Sequence, residues 1–425
     1  MNKIQIKPKP ISGNINIPPS KSMAHRAIIC AALSKEESLI TNVDFSDDIV
    51  ATLSAIEKLG AKFEKGDNWV KVKGGELEAE TGAIIDCNES GSTLRFIVPI
   101  FLIKENNITF VGKGNLGKRP LKPYYEIFDE QGIKWSNKEG ELCLSVKGEL
   151  ESGEFYIKGD ISSQFISGLL FTLPLLKGTS RIIITTKLES KGYIDLTLEM
   201  MKRFGIEIIN NDYKEFIIEG NQSYKATNYE VEGDFSQAAF YLVASSLGNS
   251  VELSKLNLQS LQGDKEVLDI LSRMGANINA SDKKVSLSVE KLVGTTIDAA
   301  QCPDIIPVIT VAAALAKGTT RIINAGRLRI KECDRLSAIS SELNKLGAKV
   351  EEGTDYMVIE GVEKLTGGEV SSFKDHRIAM SLAIAATRCE KPVIIEDPEC
   401  VRKSYPGFWK DYKALGGEID EWSMG

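Results

Sequence analysis

A unit of about seventy residues recurs six times along this 425-residue chain, and any fold it adopts has to accommodate that repeat. Each unit carries a helical pattern that stops at a glycine, then a strand, a polar turn and another strand. The stretches ending Leu59-Gly60-Ala61-Lys62-Phe63 and Phe204-Gly205-Ile206-Glu207-Ile208 show it most clearly. With Gly132, Gly275, Gly347 and Gly416, the stopping glycines fall 72, 73, 70, 72 and 69 residues apart. Glycine suits the left-handed position just past a helix C-terminus, so the repeat has a mechanical basis. Each period also contains an earlier, more apolar helix, as at Ile28 to Leu33 or Gly168 to Leu176, followed by a strand such as Arg181 to Thr185. One period therefore reads strand, buried helix, strand, amphipathic helix, strand, strand. Six periods predict an α/β protein of two domains with three units each. The expected boundaries place 1–19 and 229–425 in one discontinuous domain that contains the termini, and 20–228 in the second.

Composition narrows the class. Hydrophobic residues make up 42% and charged residues 26%, the balance of a soluble globular protein with a large core. No run of eighteen apolar residues is present, so no membrane span is expected. The start, Met1 to Ile6, alternates like a strand and has no signal-peptide core. Seven scattered cysteines never form C-x-x-C and only two histidines occur, which points to reduced thiols in the cytoplasm and to no metal site. A net charge of −7 disfavours nucleic-acid binding, so any basic cluster is local. No coiled-coil seam is visible, and a monomer is expected.

The unusual polar residues sit at the starts of the apolar helices: Ser20-Lys21-Ser22, Gly91-Ser92-Thr93, Ser162-Ser163-Gln164, Gly233 to Ser236, Pro303-Asp304 and Asp375-His376-Arg377. The markers Ser22, Ser92, Ser163, Ser236, Asp304 and His376 lie 70, 71, 73, 68 and 72 apart, the register of the repeat itself. Helix N-termini offer free N–H groups and partial positive charge, a setting for phosphate or carboxylate. Ser, Thr and Asp there are equally N-caps worth about 1 kcal/mol each. Capping alone does not account for Lys21, Arg26, Arg95, Arg119, Arg335, Arg377 and Lys403 beside these starts, since cations oppose the dipole unless an anion joins them. Ser22 with Arg26, and Lys331 with Arg335, are four apart and are expected to share a helix face. A solvated charged face is the competing reading for Lys331 to Arg335.

These clusters resemble, in order, the signatures of the 5-enolpyruvylshikimate-3-phosphate synthases. Ser20-Lys21-Ser22-Met23-Ala24-His25-Arg26-Ala27 is similar to their S-K-S-x-x-x-R-A start, and Glu89 to Arg95 to N-x-G-T-x-x-R. Leu116 to Pro120 resembles the R-P loop, Ser162-Ser163-Gln164-Phe165 the S-S-Q-F segment, and Arg329 to Arg335 the R-x-K-E-[ST]-D-R signature. Asp375 to Met380 resembles D-H-R-M-A-M, and Lys403-Ser404-Tyr405-Pro406 the closing K-[ST]-[FY]-P. Glu89, where the family has Asn, and Arg327, where some members have Asn, depart from the pattern.

The resemblance implies two inside-out α/β domains with the active site in the cleft between them. It implies transfer of the enolpyruvyl group of phosphoenolpyruvate to the 5-hydroxyl of shikimate 3-phosphate, with no cofactor and small anionic substrates as the only partners. By position, Lys21, Ser22, Arg26, Ser162, Ser163, Gln164, Ser190, Tyr193, Asp304 and Lys331 would hold shikimate 3-phosphate. Lys21, Gly91, Arg119, Gln164, Arg335, Arg377 and Lys403 would hold phosphoenolpyruvate. Asp304, Glu332 and Lys21 would move protons, two carboxyl groups of opposite protonation state being enough for the reaction. The sister family that uses UDP-N-acetylglucosamine carries a Cys before its R-P motif and a K-N pair near its start. Here those places read Gly112 to Leu116 and Lys21-Ser22, which disfavours it. A non-catalytic anion-binding scaffold is disfavoured by the two carboxylates, Asp304 and Glu332.

Overall fold

The computed structural model describes residues 2–423 apart from 139, 282 and 283. The described residues form twelve α-helices, two per repeat. The first of each pair is α1 (Lys21–Ala32), α3 (Gly91–Ile100), α5 (Ser163–Thr172), α7 (Phe235–Ser246), α9 (Ile306–Ala314) or α11 (His376–Ala386). The second is α2 (Asp47–Lys58), α4 (Lys122–Gln131), α6 (Lys191–Arg203), α8 (Glu266–Arg273), α10 (Arg335–Lys345) or α12 (Phe408–Ala414). Apolar composition separates the two sets. Every residue of α7, α9 and α11 is buried, whereas α8 buries only Val267, Ile270 and Leu271.

The strands form six four-stranded sheets of one design. An edge strand runs parallel to its neighbour, and the remaining two are antiparallel. In the second repeat, Ile84–Asp86 pairs parallel with Asn106–Val111, which pairs antiparallel with Cys143–Gly148 and then Lys134–Ser136. The parallel pair flanks α3, because parallel strands need a crossover helix between them. The six stopping glycines, Gly60, Gly132, Gly205, Gly275, Gly347 and Gly416, all have left-handed φ between 68° and 100°. The amphipathic helix thus ends where a Cβ would be strained.

The chain divides into two compact units, one running up to Pro18 and resuming at Glu232, the other Pro19–Val231. Each has its own apolar core, around α7, α9 and α11 in the first and around α1, α3 and α5 in the second. The second crossing lies three residues beyond the 228/229 boundary read from the sequence, because Tyr229–Glu230 pairs parallel with Ser38–Thr41. Strand Ser12–Asn16, which leads toward α1, instead pairs with Ser250–Ser254. The first sheet of Pro19–Val231 therefore lacks its parallel edge until residues 229 and 230 supply it. Among the described residues, no helix is long and apolar enough to cross a membrane.

Helices α3 and α5 approach so closely at Gly168 that a Cβ there would overlap the Arg95 carbonyl and the Tyr124 hydroxyl. Gly168→Val should therefore cost about 1–3 kcal/mol through overpacking, read as a lowered urea midpoint by circular dichroism. An unchanged midpoint would mean that the two helices can separate freely.

Candidate active site

In the unit that resumes at Glu232, the polar groups gather at the N-terminal ends of the three buried helices. Asp304 lies in the turn just before α9. Its Oδ1 accepts from Lys331 Nζ and from Arg335 Nη1, both at 3.0 Å, and its Oδ2 lies 3.3 Å from Arg377 Nη2. Arg377, in the first turn of α11, also donates from Nη2 to Ser236 Oγ of α7 at 3.0 Å. Three helix starts are thus joined through one guanidinium.

Arg335 is the centre of charge. Its side chain is 1% exposed and that of Asp375 is fully buried, and the two meet at 2.8 Å (Nε to Oδ2) and 3.3 Å (Nη2 to Oδ1). Arg335 Nη2 also donates to Glu332 Oε2 at 2.6 Å. Asp375 has a second task, capping α11 by accepting from the Arg377 N–H at 2.8 Å. Lys403 donates to the carbonyl of Lys374 at 2.9 Å. Burial works against the charge of Asp304, but Lys331, Arg377 and Arg335 outweigh it and hold the carboxyl well below the usual range. Burial also pulls Lys331 down to about 8, against the opposing pull of Asp304. The carboxylates around Arg335 overcome its burial and push it well above the ordinary arginine range.

The unit Pro19–Val231 has a second group at the starts of α1, α3 and α5. Ser20, Ser90 and Ser162 are their N-caps, accepting from the Met23, Thr93 and Gln164 N–H groups. Lys21 Nζ meets Asp48 Oδ2 of α2 at 2.6 Å. Gln164 donates to Ser92 Oγ at 2.9 Å and accepts from Arg95 Nη1 at 2.8 Å, so α3 and α5 are tied at this end. A Cβ on Gly91 would come within 2.7 Å of Arg119 Cζ, so only glycine lets that guanidinium lie over the start of α3. Buried Arg26 donates to Thr197 Oγ1 and to the carbonyls of Ser22 and Tyr193, each at 2.8 Å. Burial lowers Arg26 to about 10, which leaves it cationic at neutral pH. Ser190, buried with a left-handed φ of 57°, sets the turn into α6 that carries Tyr193.

The structure therefore brings Asp304, Lys331, Glu332, Arg335 and Arg377 into one cluster. It places Lys21, Ser22, Arg26, Gly91, Arg119, Ser162, Ser163, Gln164, Ser190 and Tyr193 around the helix starts of the other unit. Two local expectations are corrected. Lys331 and Arg335 do not share a helix face: Lys331 is extended after a 3-10 turn, and α10 begins only at Arg335. Asp304 is no N-cap, since Ile305 holds that position. The solvated-face reading of this segment fails too, because Arg335 is buried and Asp334 caps α10 through the Ser337 N–H at 3.0 Å. Ser236 and Asp375 stand inside the repeated helix-start clusters, where capping is the expectation, and their contacts with Arg377 and Arg335 add to it. Nothing local in the sequence links Asp48 to Lys21 or Thr197 to Arg26. Of the departures, Glu89 lies against Gly114 and Arg327 sits in the 3-10 turn before Lys331.

Residues 6–412 match the family model described as EPSP synthase (3-phosphoshikimate 1-carboxyvinyltransferase). A protein named 3-phosphoshikimate 1-carboxyvinyltransferase from Clostridium perfringens strain 13 is 61% identical over 423 residues, covering 99% of this chain and 100% of that one. Its namesake from Clostridioides difficile strain 630 is 59% identical, with both chains covered completely. A solved structure of EPSP synthase from Acinetobacter baumannii superposes with a TM-score of 0.81 at 25% identity over the whole of both chains.

Removing one member of a buried ion pair strands the other. Asp375→Ala should thus lower stability by about 3–5 kcal/mol, measured by urea unfolding. A loss below about 1 kcal/mol would mean that Arg335 has no need of this carboxylate.

Proposed function

The chain belongs to the EPSP synthase family, and from that membership we infer how its two groups of helix-start residues carry out the reaction. The protein transfers the enolpyruvyl group of phosphoenolpyruvate to shikimate 3-phosphate, a step of aromatic amino-acid biosynthesis. The roles proposed for its residues are carried by the position of Asp304 among Lys331, Arg335 and Arg377.

Shikimate 3-phosphate is assigned to Ser22, Arg26, Ser162, Ser163, Gln164, Ser190, Tyr193, Asp304 and Lys331. Phosphoenolpyruvate is assigned to Gly91, Arg119, Gln164, Arg335, Arg377 and Lys403, with Lys21 serving both. Serine hydroxyls and N–H groups at the start of α5 suit the phosphate ester, and the arginine forks suit carboxylate and phosphate.

Asp304 takes the proton of the 5-hydroxyl as its oxygen bonds to the substituted carbon of phosphoenolpyruvate. Glu332 is paired with Arg335 in the free protein. It takes up a proton as the phosphoenolpyruvate anion takes over that guanidinium, and then donates it to the methylene carbon, which becomes a methyl group in a tetrahedral adduct. The carbon–oxygen bond to phosphate then breaks, one methyl proton returns to the protein, and the carbon–carbon double bond re-forms, now as an enol ether of the 5-oxygen. Lys21 assists this proton movement. A carboxylate held low by three cations is a weak base. Substrate anions on the same cations offset their charge, so binding itself returns basicity to Asp304. Arg335, Arg377 and Lys403 stabilise the departing phosphate. No step calls for a metal or a cofactor.

We also place the enzyme in the cytoplasm as a monomer. Seven free cysteines and a separate core in each unit support this reading. A single mass in light scattering would test the latter.

The deciding experiment is phosphate release from phosphoenolpyruvate with and without shikimate 3-phosphate, for wild type and Glu332→Gln. Release that needs the ester and falls by about 10²-fold or more in the variant is expected. Release that survives the substitution would move the acid to Lys21, and no release at all would overturn the roles. The value of about 8 for Lys331 adds a pH dependence. Below it the ammonium is charged and holds anions, and above it the charge is lost. kcat/KM should therefore fall as pH rises through about 8, and Lys331→Arg should abolish that limb. An identical limb in both proteins would assign it to another group.

A further inference from the structure

Lys331 and Glu332 lie in a segment that apolar burial does not hold in place. Ile330 is 40% exposed, and Lys331, Glu332 and Cys333 are only partly buried. The side chains of Lys331 and Glu332 meet Asp304 and Arg335, but the backbone that carries them needs an anchor of its own.

Arg329 is placed to provide one. Its Nε donates to the Thr354 carbonyl at 2.8 Å, and its Nη2 donates to the Gly353 carbonyl at 2.6 Å and to Glu352 Oε2 at 3.2 Å. Its Nη1 donates to Asp334 Oδ2 at 2.6 Å. Glu352 ends strand Lys349–Glu352, and residues 353 and 354 lie in the tip of the hairpin between it and Met357–Glu360. Asp334 caps α10, whose first residue is Arg335. The Arg329 to Asp334 pair therefore closes a ring around residues 330–333 and ties that ring to the hairpin tip. The same tip also accepts from the Ala325 N–H, through Asp355 O at 2.7 Å.

The arrangement has a counterpart in the first repeat, where the loop before α2 is held to its hairpin tip by the Val43 N–H to Asn68 O bond at 2.9 Å. In these two repeats the hairpin tip serves as a platform for the loop that enters the amphipathic helix. Where that loop carries Lys331 and Glu332, a guanidinium reinforces the platform.

We propose that Arg329 is a positioning residue for the reaction, holding Lys331 and Glu332 in register with Asp304 and Arg335 by clamping their segment to the hairpin tip. The proposal rests on the roles given above to Lys331 and Glu332. Lysine cannot replace it, because a single ammonium cannot span four acceptors on two elements.

Steady-state kinetics of Arg329→Ala, Arg329→Lys, Glu332→Gln and the double variant Arg329→Ala with Glu332→Gln test it. In Arg329→Ala, kcat should fall at least about tenfold, while the KM for phosphoenolpyruvate changes less than about threefold. Arg329→Lys should recover only part of the loss. In the Glu332→Gln background, the same Arg329→Ala change should cost clearly less than in the wild type, because only Lys331 is left for it to position. A kcat within about twofold of wild type, or an equal loss in both backgrounds, would overturn the proposal. Should Arg329→Ala lose its near-ultraviolet circular dichroism, Arg329→Lys, alone and combined with Glu332→Gln, decides by the same criteria. Full activity in Glu332→Gln itself would instead count against the role of Glu332, so the two failures are distinguishable.

Discussion

A helix buried on every side can present polar groups only at its ends, and most of this protein follows from that constraint. Each buried helix sits among its own unit's sheets and amphipathic helices, so its flanks are apolar: α9 from Ile306 to Ala314 has no exposed residue. Its N-terminal N–H groups still need partners. Ser20, Ser90, Ser162, Asp234 and Asp375 satisfy them at five of the six starts. What remains at these ends is a set of donors and partial charges suited to anions. The architecture draws polar chemistry to these six helix starts and to the loops that lie beside them.

Charges at such ends carry a desolvation cost, and the protein meets it by pairing. Arg335 with Asp375, Lys331 with Asp304, and Lys21 with Asp48 each place a carboxylate on a cation. Such pairs add little net stability compared with apolar packing. In the proposed roles, their value lies in holding groups ready for anionic substrates. Lys331 and Asp304 also shift one another's titration through one contact.

The repeat also explains how the loops are kept still. Loops entering the amphipathic helices bury single apolar side chains, such as Val43, Leu188 and Leu328, between polar ones. Hairpin tips add backbone partners in two repeats, at Asn68 and Asp355. Around Arg329 this backbone link becomes a charged one.

The succession of elements was legible in the sequence because it depends on local chemistry. Glycine periodicity marked the left-handed stops of the amphipathic helices, and apolar composition marked the buried ones. Ordered motifs marked the helix starts. Other features depend on residues far apart in the chain meeting in space, and only the tertiary structure decided those. Asp48 is 27 residues from Lys21, Asp375 is 40 from Arg335, and Thr197 is 171 from Arg26. No spacing rule connects such pairs, because packing between helices rather than periodicity within one brings them together. The exchange at residues 229 and 230 has the same origin. A strand is assigned to a sheet by the partner it finds, and residues 229 and 230 find theirs in Ser38–Thr41, nearly two hundred residues back along the chain.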